Sequence, residues 1–210
     1  SIPLEISRLS SLETLVLKNN RFEGIVPFAQ LASTGVKYLG LSHNRFSGRL
    51  ERALNEVDTL EYLYLDHNNM RGTIPHLGNL DHLKSIDLGN NDLTGPISSE
   101  LGHLSKLEYL SVNNNGFVGQ LPMEIGLLTS LRTLNLASNT LSGKVEMIGS
   151  LSQLKSLQLY ENDFTGTFPQ SFLQLQNIES LFISSNRFFG SIPKTIDSLS
   201  QLKGLYLSDN

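Results

Sequence analysis

Two histidines and an aspartate occupy positions at which they could bind a metal ion. His43 and His67 are 24 residues apart, and Asp66 directly precedes the second histidine. Imidazole nitrogens and carboxylate oxygens suit zinc, which takes four protein ligands in a closed structural site. The sequence offers no clear further ligands at matching positions, so we predict no metal site and no cofactor.

Aromatic side chains are the second group with a possible role in binding. A tyrosine buries a large rigid ring while keeping a hydrogen-bonding tip, which makes it common in recognition surfaces. One candidate ligand-binding surface contains Tyr38, Tyr62 and Tyr64 with His43, Asp66 and His67, Tyr109 continues the same series, and a second candidate surface contains Tyr160, Phe182 and Tyr206. The alternative is that the rings only stack on one another and stabilise the fold.

Motifs for catalysis are absent from the sequence. The chain has no cysteine, which excludes thiolate zinc sites, iron–sulfur clusters and cysteine nucleophiles. The glycine-rich nucleotide-binding motifs, the H-E-x-x-H zinc motif and the G-x-S-x-G nucleophile motif do not occur either. We therefore predict that the chain is not an enzyme.

A repeat that runs through the whole chain must position these side chains. An asparagine recurs every 23 or 24 residues and closes the phrase Leu-x-x-Leu-x-Leu-x-x-Asn, with Val or Ile at a few Leu positions. The nine copies end at Asn20, Asn44, Asn68, Asn91, Asn115, Asn139, Asn162, Asn186 and Asn210. The alternating apolar residues predict a short strand with its leucines facing inward. Stacking the repeats into a parallel sheet would bury a continuous core, so we predict a curved solenoid.

The recurring asparagine has a structural explanation. Its amide can pair with backbone groups of its own and adjacent coils that an apolar turn would leave unsatisfied, so we predict a buried asparagine ladder. A glycine follows four residues later in eight copies, which suits a backbone turn or a close approach between coils. Proline stands three residues after this glycine in five copies, and Glu51, Ser98 and Glu146 replace it in the others. Apolar residues three apart then predict short helical or 3-10 turns.

The complete pattern resembles a known family of proteins. The repeated phrase is the leucine-rich-repeat signature, and its extension, as in Asn68-x-Met70-x-Gly72-x-Ile74-Pro75, resembles the plant-type subclass. This subclass includes the ectodomains of receptor-like kinases, receptor-like proteins and polygalacturonase-inhibiting proteins. The resemblance implies an α/β solenoid, a right-handed curved superhelix with a concave parallel β-sheet and short helical or 3-10 turns on the convex side. It also implies recognition of peptides, small ligands or other proteins.

Charge and hydropathy restrict the partners. The net charge of −4 without a basic run argues against nucleic-acid binding. The residue after the first leucine of each phrase alternates in charge along most of the chain, which predicts a stabilising ladder of ion pairs. Its members are Glu13, Lys37, Glu61, Lys84, Glu108, Arg132, Lys155, Glu179 and Lys203. No apolar run is long enough to span a bilayer, so we predict no membrane contact within this segment, although a longer parent protein could carry a transmembrane helix.

The two ends of the chain both cut through a repeat. Ser1-Ile2-Pro3 matches Ser191-Ile192-Pro193, and the last residue is the ladder asparagine of the ninth copy. Repeat arrays need polar terminal caps, and this family usually carries cysteine-paired ones. We therefore expect residues 1–210 to be a single leucine-rich-repeat domain of nine repeats, an internal fragment that lacks both caps.

The leading functional prediction is a non-catalytic module that binds a protein or peptide on its concave face, within a cell-surface receptor or a secreted defence protein. The alternatives are an inhibitor of a cell-wall-degrading enzyme and an intracellular interaction scaffold. Ice binding is disfavoured because the outward column that contains His43 and His67 is irregular. The family resemblance favours an extracellular location, whereas the absence of any N-x-[ST] site among 18 asparagines weakens it and leaves a cytoplasmic location as the alternative.

Overall fold

The computed structural model describes residues 1–50 and 52–210. Over these residues, nine short parallel strands form one sheet, in which each strand pairs with the strand of the next repeat. The strands are Thr14–Val16, Tyr38–Gly40, Tyr62–Tyr64, Ser85–Asp87, Tyr109–Ser111, Thr133–Asn135, Ser156–Gln158, Ser180–Phe182 and Gly204–Tyr206. The chain is an α/β solenoid, as the repeat predicts.

The apolar alternation explains which side of this sheet is buried. In the central repeats the middle residue of each strand, such as Leu39, Leu63 or Leu134, is fully buried, and it pairs with its equivalent in the neighbouring strand. The residues between these leucines point to the opposite side of the sheet. We call that outward side the concave face, after the predicted curvature of the solenoid.

A second sheet follows the ladder asparagines. Its eight strands within the described residues are Glu23–Gly24, Arg45–Arg49, Asn69–Gly72, Asp92–Gly95, Gly116–Gln120, Thr140–Gly143, Asp163–Thr167 and Arg187–Phe189. The glycine that recurs in these strands has a positive φ of 80–111° in every copy, a conformation that other residues adopt at a cost. The turn interpretation of this glycine is therefore confirmed.

Short helical turns connect the second sheet to the next repeat, as predicted. The 3-10 turns are Leu4–Arg8, Arg52–Glu56, Ser99–His103, Met123–Leu127, Glu146–Ser150, Gln170–Gln174 and Lys194–Ser198, and one α-helical turn spans Phe28–Leu31. Glu51, one of the residues that replace proline before these turns, lies outside the described residues.

The closest approach between the backbones of two coils occurs at a different glycine from the one that the sequence suggested. In the second sheet, a Cβ on Gly95 or Gly143 would lie 2.7 or 2.8 Å from a side-chain atom of the preceding coil, and a Cβ on Gly119 or Gly166 would meet nothing within 4 Å. A Cβ on Gly102 or Gly149, in the 3-10 turns, would instead lie 2.5 Å from a backbone oxygen of the next turn, that of Glu124 or Ser171. Glycine is therefore needed on the convex side to let adjacent coils touch.

The ladder asparagines tie each coil to the one before it. The Asn139 amide nitrogen donates to the carbonyl oxygens of Val112, Leu136 and Ala137 at 3.1–3.2 Å, and its Oδ1 accepts from the Phe117 N–H at 3.0 Å. Equivalent bonds form at the other ladder positions except the first, whose amide bonds only within its own coil.

Burial of the ladder varies along the chain, whereas the sequence predicts burial throughout. Asn44, Asn68, Asn139 and Asn162 are buried, the ladder residues of the fourth, fifth and eighth repeats are partly buried, and Asn20 and Asn210 are exposed. The exposed pair differs from the others because a coil packs on only one side of each of them in this structure.

Candidate functional site

A depression of about 510 Å³ lies on the concave face between the first and fifth repeats. Its polar and aromatic walls include Tyr38, Tyr62, Tyr64, Asp66, Asp87 and Tyr109. We call this depression the concave pocket. Three of its tyrosines and Asp66 come from the first predicted surface, and Tyr109 joins them although it lies two repeats further along the chain.

Small residues between large ones create the depth of the pocket. The sheet register places Tyr38, Tyr62, Ser85 and Tyr109 side by side in one outward column, and Gly40, Tyr64, Asp87 and Ser111 in the next. A Cβ on Gly40 would lie only 3.0 Å from Cε1 of Tyr38, so the missing side chain lets that ring lean across the strand. The space at Gly40 is therefore taken by the Tyr38 ring, and the small Ser85 leaves the depression between the aromatic walls of Tyr62 and Tyr109.

The tyrosine rings on one side of the pocket contact one another. The Tyr38 ring centroid lies 5.7 Å from that of Tyr62 and 5.4 Å from that of Tyr64, at tilted angles, as favourable aromatic pairs do. Burial raises the pKa of the Tyr38 hydroxyl, and the nearby Tyr64 raises it further. This packing holds the rings in place before any ligand arrives.

Asp87 is the residue of the pocket that the sequence analysis missed. Its Oδ1 accepts a hydrogen bond from the Gly89 N–H at 3.0 Å, and its Oδ2 accepts one from the Tyr109 hydroxyl at 3.1 Å. Burial raises the pKa of this carboxyl, and the neighbouring Asp66 carboxylate also raises it, while the Gly89 N–H acts in the opposite direction. One signal was available in the sequence, since Asp87 is the single acidic residue in its outward column.

Tyr109 forms the wall opposite the tyrosine cluster. Burial, together with the Asp87 carboxylate, raises the pKa of Tyr109 to about 12. The hydroxyl therefore remains protonated at neutral pH and serves as a donor to Asp87.

Asp66 places a second carboxylate at the pocket. Only 16% of its side chain is exposed, and its Oδ2 lies 3.7 Å from Nε2 of His43. Its other oxygen accepts a hydrogen bond from the Ser42 hydroxyl. The pocket thus contains two neighbouring carboxylates that are both shielded from bulk water.

The two histidines of the first predicted surface lie together beside Asp66. Their rings stack with centroids 4.1 Å apart and planes 14° from parallel, and one donor atom from each of His43, Asp66 and His67 lies within 4.8 Å of the other two. Because the two rings are nearly parallel, the nitrogen lone pairs in their planes do not converge on one point. The two imidazole rings would have to rotate before both could bind the same metal ion. This arrangement fits stacking better than metal binding.

The backbone explains why histidine occurs in this column. His43 and His67 have φ values of 54° and 53°, and every residue that precedes a ladder asparagine has a positive φ of 52–60°. Asparagine, aspartate and histidine tolerate this left-handed conformation better than most residues. The irregular column of residues therefore reflects a turn in each coil, which the sequence analysis did not recognise.

The second predicted surface is only partly assembled. Phe182 and Tyr206 stack with centroids 4.3 Å apart and planes 9° from parallel. Tyr160 lies in the adjacent outward column, and within the described residues it forms no ring pair with them. The surface is therefore a stacked pair of rings without the depth of the concave pocket.

The predicted charge ladder is confirmed along one edge of the concave face. Lys84 Nζ lies 2.6 Å from a Glu61 oxygen, Arg132 Nε lies 3.3 Å from Glu108, and similar pairs join Lys37 to Glu13 and Lys203 to Glu179. The hydrogen bond from Lys84 lowers the pKa of Glu61, and the same bond raises the pKa of Lys84. Two basic residues line the pocket. Lys84 is paired with Glu61, whereas Lys18 forms no ion pair within 4.0 Å among the described residues.

Asp87 should reduce the stability of the fold as the pH rises above about 4, the ordinary range of an aspartate pKa. The pKa of Asp87 is raised on folding. Between the unfolded and the folded pKa, the folded chain therefore keeps the Asp87 proton while the unfolded chain has lost it, and the free energy of unfolding falls as the pH rises through this range. Asp87→Asn removes this loss. We expect the unfolding free energy of the variant, relative to the parent, to increase with pH in urea titrations; a difference independent of pH would contradict the shift.

Family models of leucine-rich repeats match most of the chain. The family model described as leucine rich repeat matches residues 7–70 and 152–210, and two further leucine rich repeat models match 82–104 with 106–128, and 128–144. No curated protein sequence matches the chain. No helix within the described residues is both long and apolar enough to cross a membrane.

Solved structures match the whole chain. The LRR ectodomain of the plant membrane receptor kinase GASSHO1/SCHENGEN3 from Arabidopsis thaliana, in complex with CASPARIAN STRIP INTEGRITY FACTOR 2, is 37% identical with a TM-score of 0.96, over 100% of this chain and 26% of that one. The ectodomain of the Arabidopsis receptor kinase HAESA, in complex with an N-terminal extended IDA peptide hormone ligand, is 34% identical with a TM-score of 0.94, over 100% of this chain and 36% of that one.

A bacterial protein shares the same fold. A leucine-rich-repeat protein of Leptospira interrogans is 31% identical with a TM-score of 0.81, over 99% of this chain and 57% of that one. The likeness in fold therefore extends beyond plants. In all three comparisons the chain spans less than two thirds of the protein that it matches.

Proposed function

Because the chain belongs to the leucine-rich-repeat family, and to its plant type, we propose that it is a non-catalytic module that binds a protein or peptide on its concave face. The observation that carries this proposal is the concave pocket, a depression with tyrosine walls on a face where outward side chains stand in ordered columns. Pockets that bind ligands are typically concave, largely preformed and aromatic, with a few polar groups that set orientation.

Preorganisation is the physical basis of the proposed binding. The strands are held in register by backbone hydrogen bonds, and the ladder asparagines lock each coil to its neighbour. A ligand that binds such a surface need not order the receptor, so less of its interaction energy is lost on association. The GASSHO1 and HAESA ectodomains were solved with a bound factor and a bound peptide hormone respectively, which supports a ligand of this kind here.

The same comparisons support an extracellular location. Both are ectodomains of plant membrane receptor kinases, and the chain shares their fold and more than a third of its residues with each. We propose that the chain is part of a cell-surface receptor or a secreted defence protein, with the concave face open to soluble ligands.

Selection of peptides tests the proposal. The chain is used as bait for a displayed library of random peptides, and the affinity of each selected peptide is measured by calorimetry. Tyr62→Ala combined with Tyr64→Ala should weaken binding by about tenfold or more, because truncation of buried aromatic contact residues commonly costs above about 1 kcal/mol each. Circular dichroism checks that the variant is folded.

A matched variant on the second surface serves as the control. Phe182→Ala combined with Tyr206→Ala removes the same number of aromatic rings from the same face, about five repeats away. The selected peptides should bind this control as they bind the parent. If no peptide is selected, or if both double variants bind equally well, the concave pocket is not the binding site.

A further inference from the structure

The Asp87 carboxylate has no cationic partner among the described side chains, those of residues 1–50 and 53–210. No lysine, arginine or histidine nitrogen of these residues forms an ion pair with it within 4.0 Å. Its partners are the Gly89 N–H and the Tyr109 hydroxyl, which are both neutral. A shielded carboxylate without a counter-ion is costly, since burial disfavours the charged form.

The local backbone does not require this charge. Asn135 occupies the same outward column two repeats later, and its Oδ1 accepts from the Ala137 N–H at 3.1 Å. Asp87 makes the equivalent bond to the Gly89 N–H at 3.0 Å. Because a neutral amide closes the same turn in the same fold, the negative charge in the fourth repeat adds nothing that the turn needs.

The surroundings of Asp87 favour a cation that comes from outside. Asp66 adds a second carboxylate, with 16% of its side chain exposed. Lys84 and Lys18 line the same depression, but the Lys84 charge is already bonded to Glu61. The Lys84 nitrogen also lies 5.8 Å from the centroid of the Tyr62 ring, within the range in which an aromatic face attracts a cation. Two carboxylates and several tyrosine faces thus line one depression.

We propose that the concave pocket binds the cationic side chain of a lysine or arginine in a peptide ligand, with Asp87 as its charged partner and the tyrosines as its walls. The inference rests on the proposed function, because it identifies which residue of a bound peptide the pocket selects. At about 510 Å³ the depression has room for one long side chain. A charged amine or guanidinium would supply the counter-ion that Asp87 lacks among the described side chains, whereas a neutral residue leaves Asp87 unpaired.

A cycle of paired substitutions tests this inference. Peptides selected on the parent chain should be enriched in lysine or arginine. One such peptide is then synthesised in its native form and with its basic residue replaced by a neutral analogue, citrulline for arginine or norleucine for lysine. Calorimetry measures both peptides on the parent and on Asp87→Asn, which should fold because Asn135 is tolerated at the equivalent position.

Two further variants define the contribution of charge and of the hydroxyl. Asp92→Asn removes one exposed carboxylate from the second sheet and controls for the change in net charge. Tyr109→Phe keeps the aromatic wall and removes the donor to Asp87. Thermal melting of each variant checks folding.

The expected result is a loss of about tenfold when the basic residue is neutralised on the parent, as for a hydrogen bond to a charged group, and little or no loss on Asp87→Asn. Asp92→Asn should behave as the parent does. An equal loss on the parent and on Asp87→Asn, or selected peptides without basic enrichment, would overturn this inference while leaving the proposed function standing. Failure to select any binding peptide would overturn the proposed function, and this inference with it.

Discussion

Asn139→Ala should lower the free energy of unfolding by about 3 kcal/mol, the upper range for leaving buried polar groups unsatisfied. Asn139 is 8% exposed and makes four hydrogen bonds to backbone groups of two coils. Alanine removes every one of these bonds. The Phe117 N–H would lose its acceptor in the interior, where water cannot readily replace it, whereas the Val112 carbonyl would keep its bond from the Asn115 amide.

The ladder itself supplies a graded control for this prediction. Asn20→Ala should cost less than about 1 kcal/mol, because its amide is exposed and bonds only within its own coil. Asn115→Ala, at a partly buried position with all four bonds, should cost about 1 to 3 kcal/mol. Urea unfolding of the three variants measures the series, and equal losses at Asn20 and Asn139 would show that the ladder does not stabilise through burial.

Gly149→Ala should destabilise the fold by about 3 kcal/mol, as strong overpacking does. The added Cβ would lie 2.5 Å from the Ser171 backbone oxygen and 2.7 Å from its carbonyl carbon. Backbone atoms of a packed coil cannot rotate away as a side chain can, so the two coils would have to separate. Separation would also expose the fully buried Ile148 and Phe172 beneath them.

A glycine with only ordinary van der Waals contacts is the matched control for Gly149. A Cβ on Gly35 would lie 3.8 Å from the backbone oxygens of Ser10 and Leu12, so Gly35→Ala should change stability by less than about 1 kcal/mol. Differential scanning calorimetry of both variants distinguishes the effect of the contact from the general effect of replacing glycine. A small change at Gly149 would mean that the convex turns can move apart at low cost.

The sequence predicted the parts of the concave pocket more completely than their arrangement. Tyr38, Tyr62 and Tyr64 were recognised because aromatic residues recur in phase with the repeat. Asp87 was not, although it is the single acidic residue of its column, because one isolated charge does not recur with the repeat. Its position acquires meaning only when Tyr109 reaches it from the next strand and when its charge is found to lack a partner.

The contact between coils on the convex side could also not be predicted from the sequence. The position of Gly149 within its 3-10 turn is occupied by Asn55 and Leu173 in other repeats. Because glycine is not constant at this position, the repeat pattern does not indicate that glycine is needed. The need for glycine at position 149 depends on the distance between two particular coils, and this distance is set by all the side chains packed between them.

The sequence by itself determined the solenoid, the inward leucines, the ladder asparagines and the pairing of charges along the sheet edge. It could do so because one period of 23–24 residues equals one coil, and therefore residues one period apart are neighbours in space. The tertiary structure alone decided the depth of the pocket, the left-handed turn at His43 and His67, and the unpaired charge at Asp87. These features depend on how side chains from different columns and coils lean toward one another, and a repeat pattern does not encode that geometry.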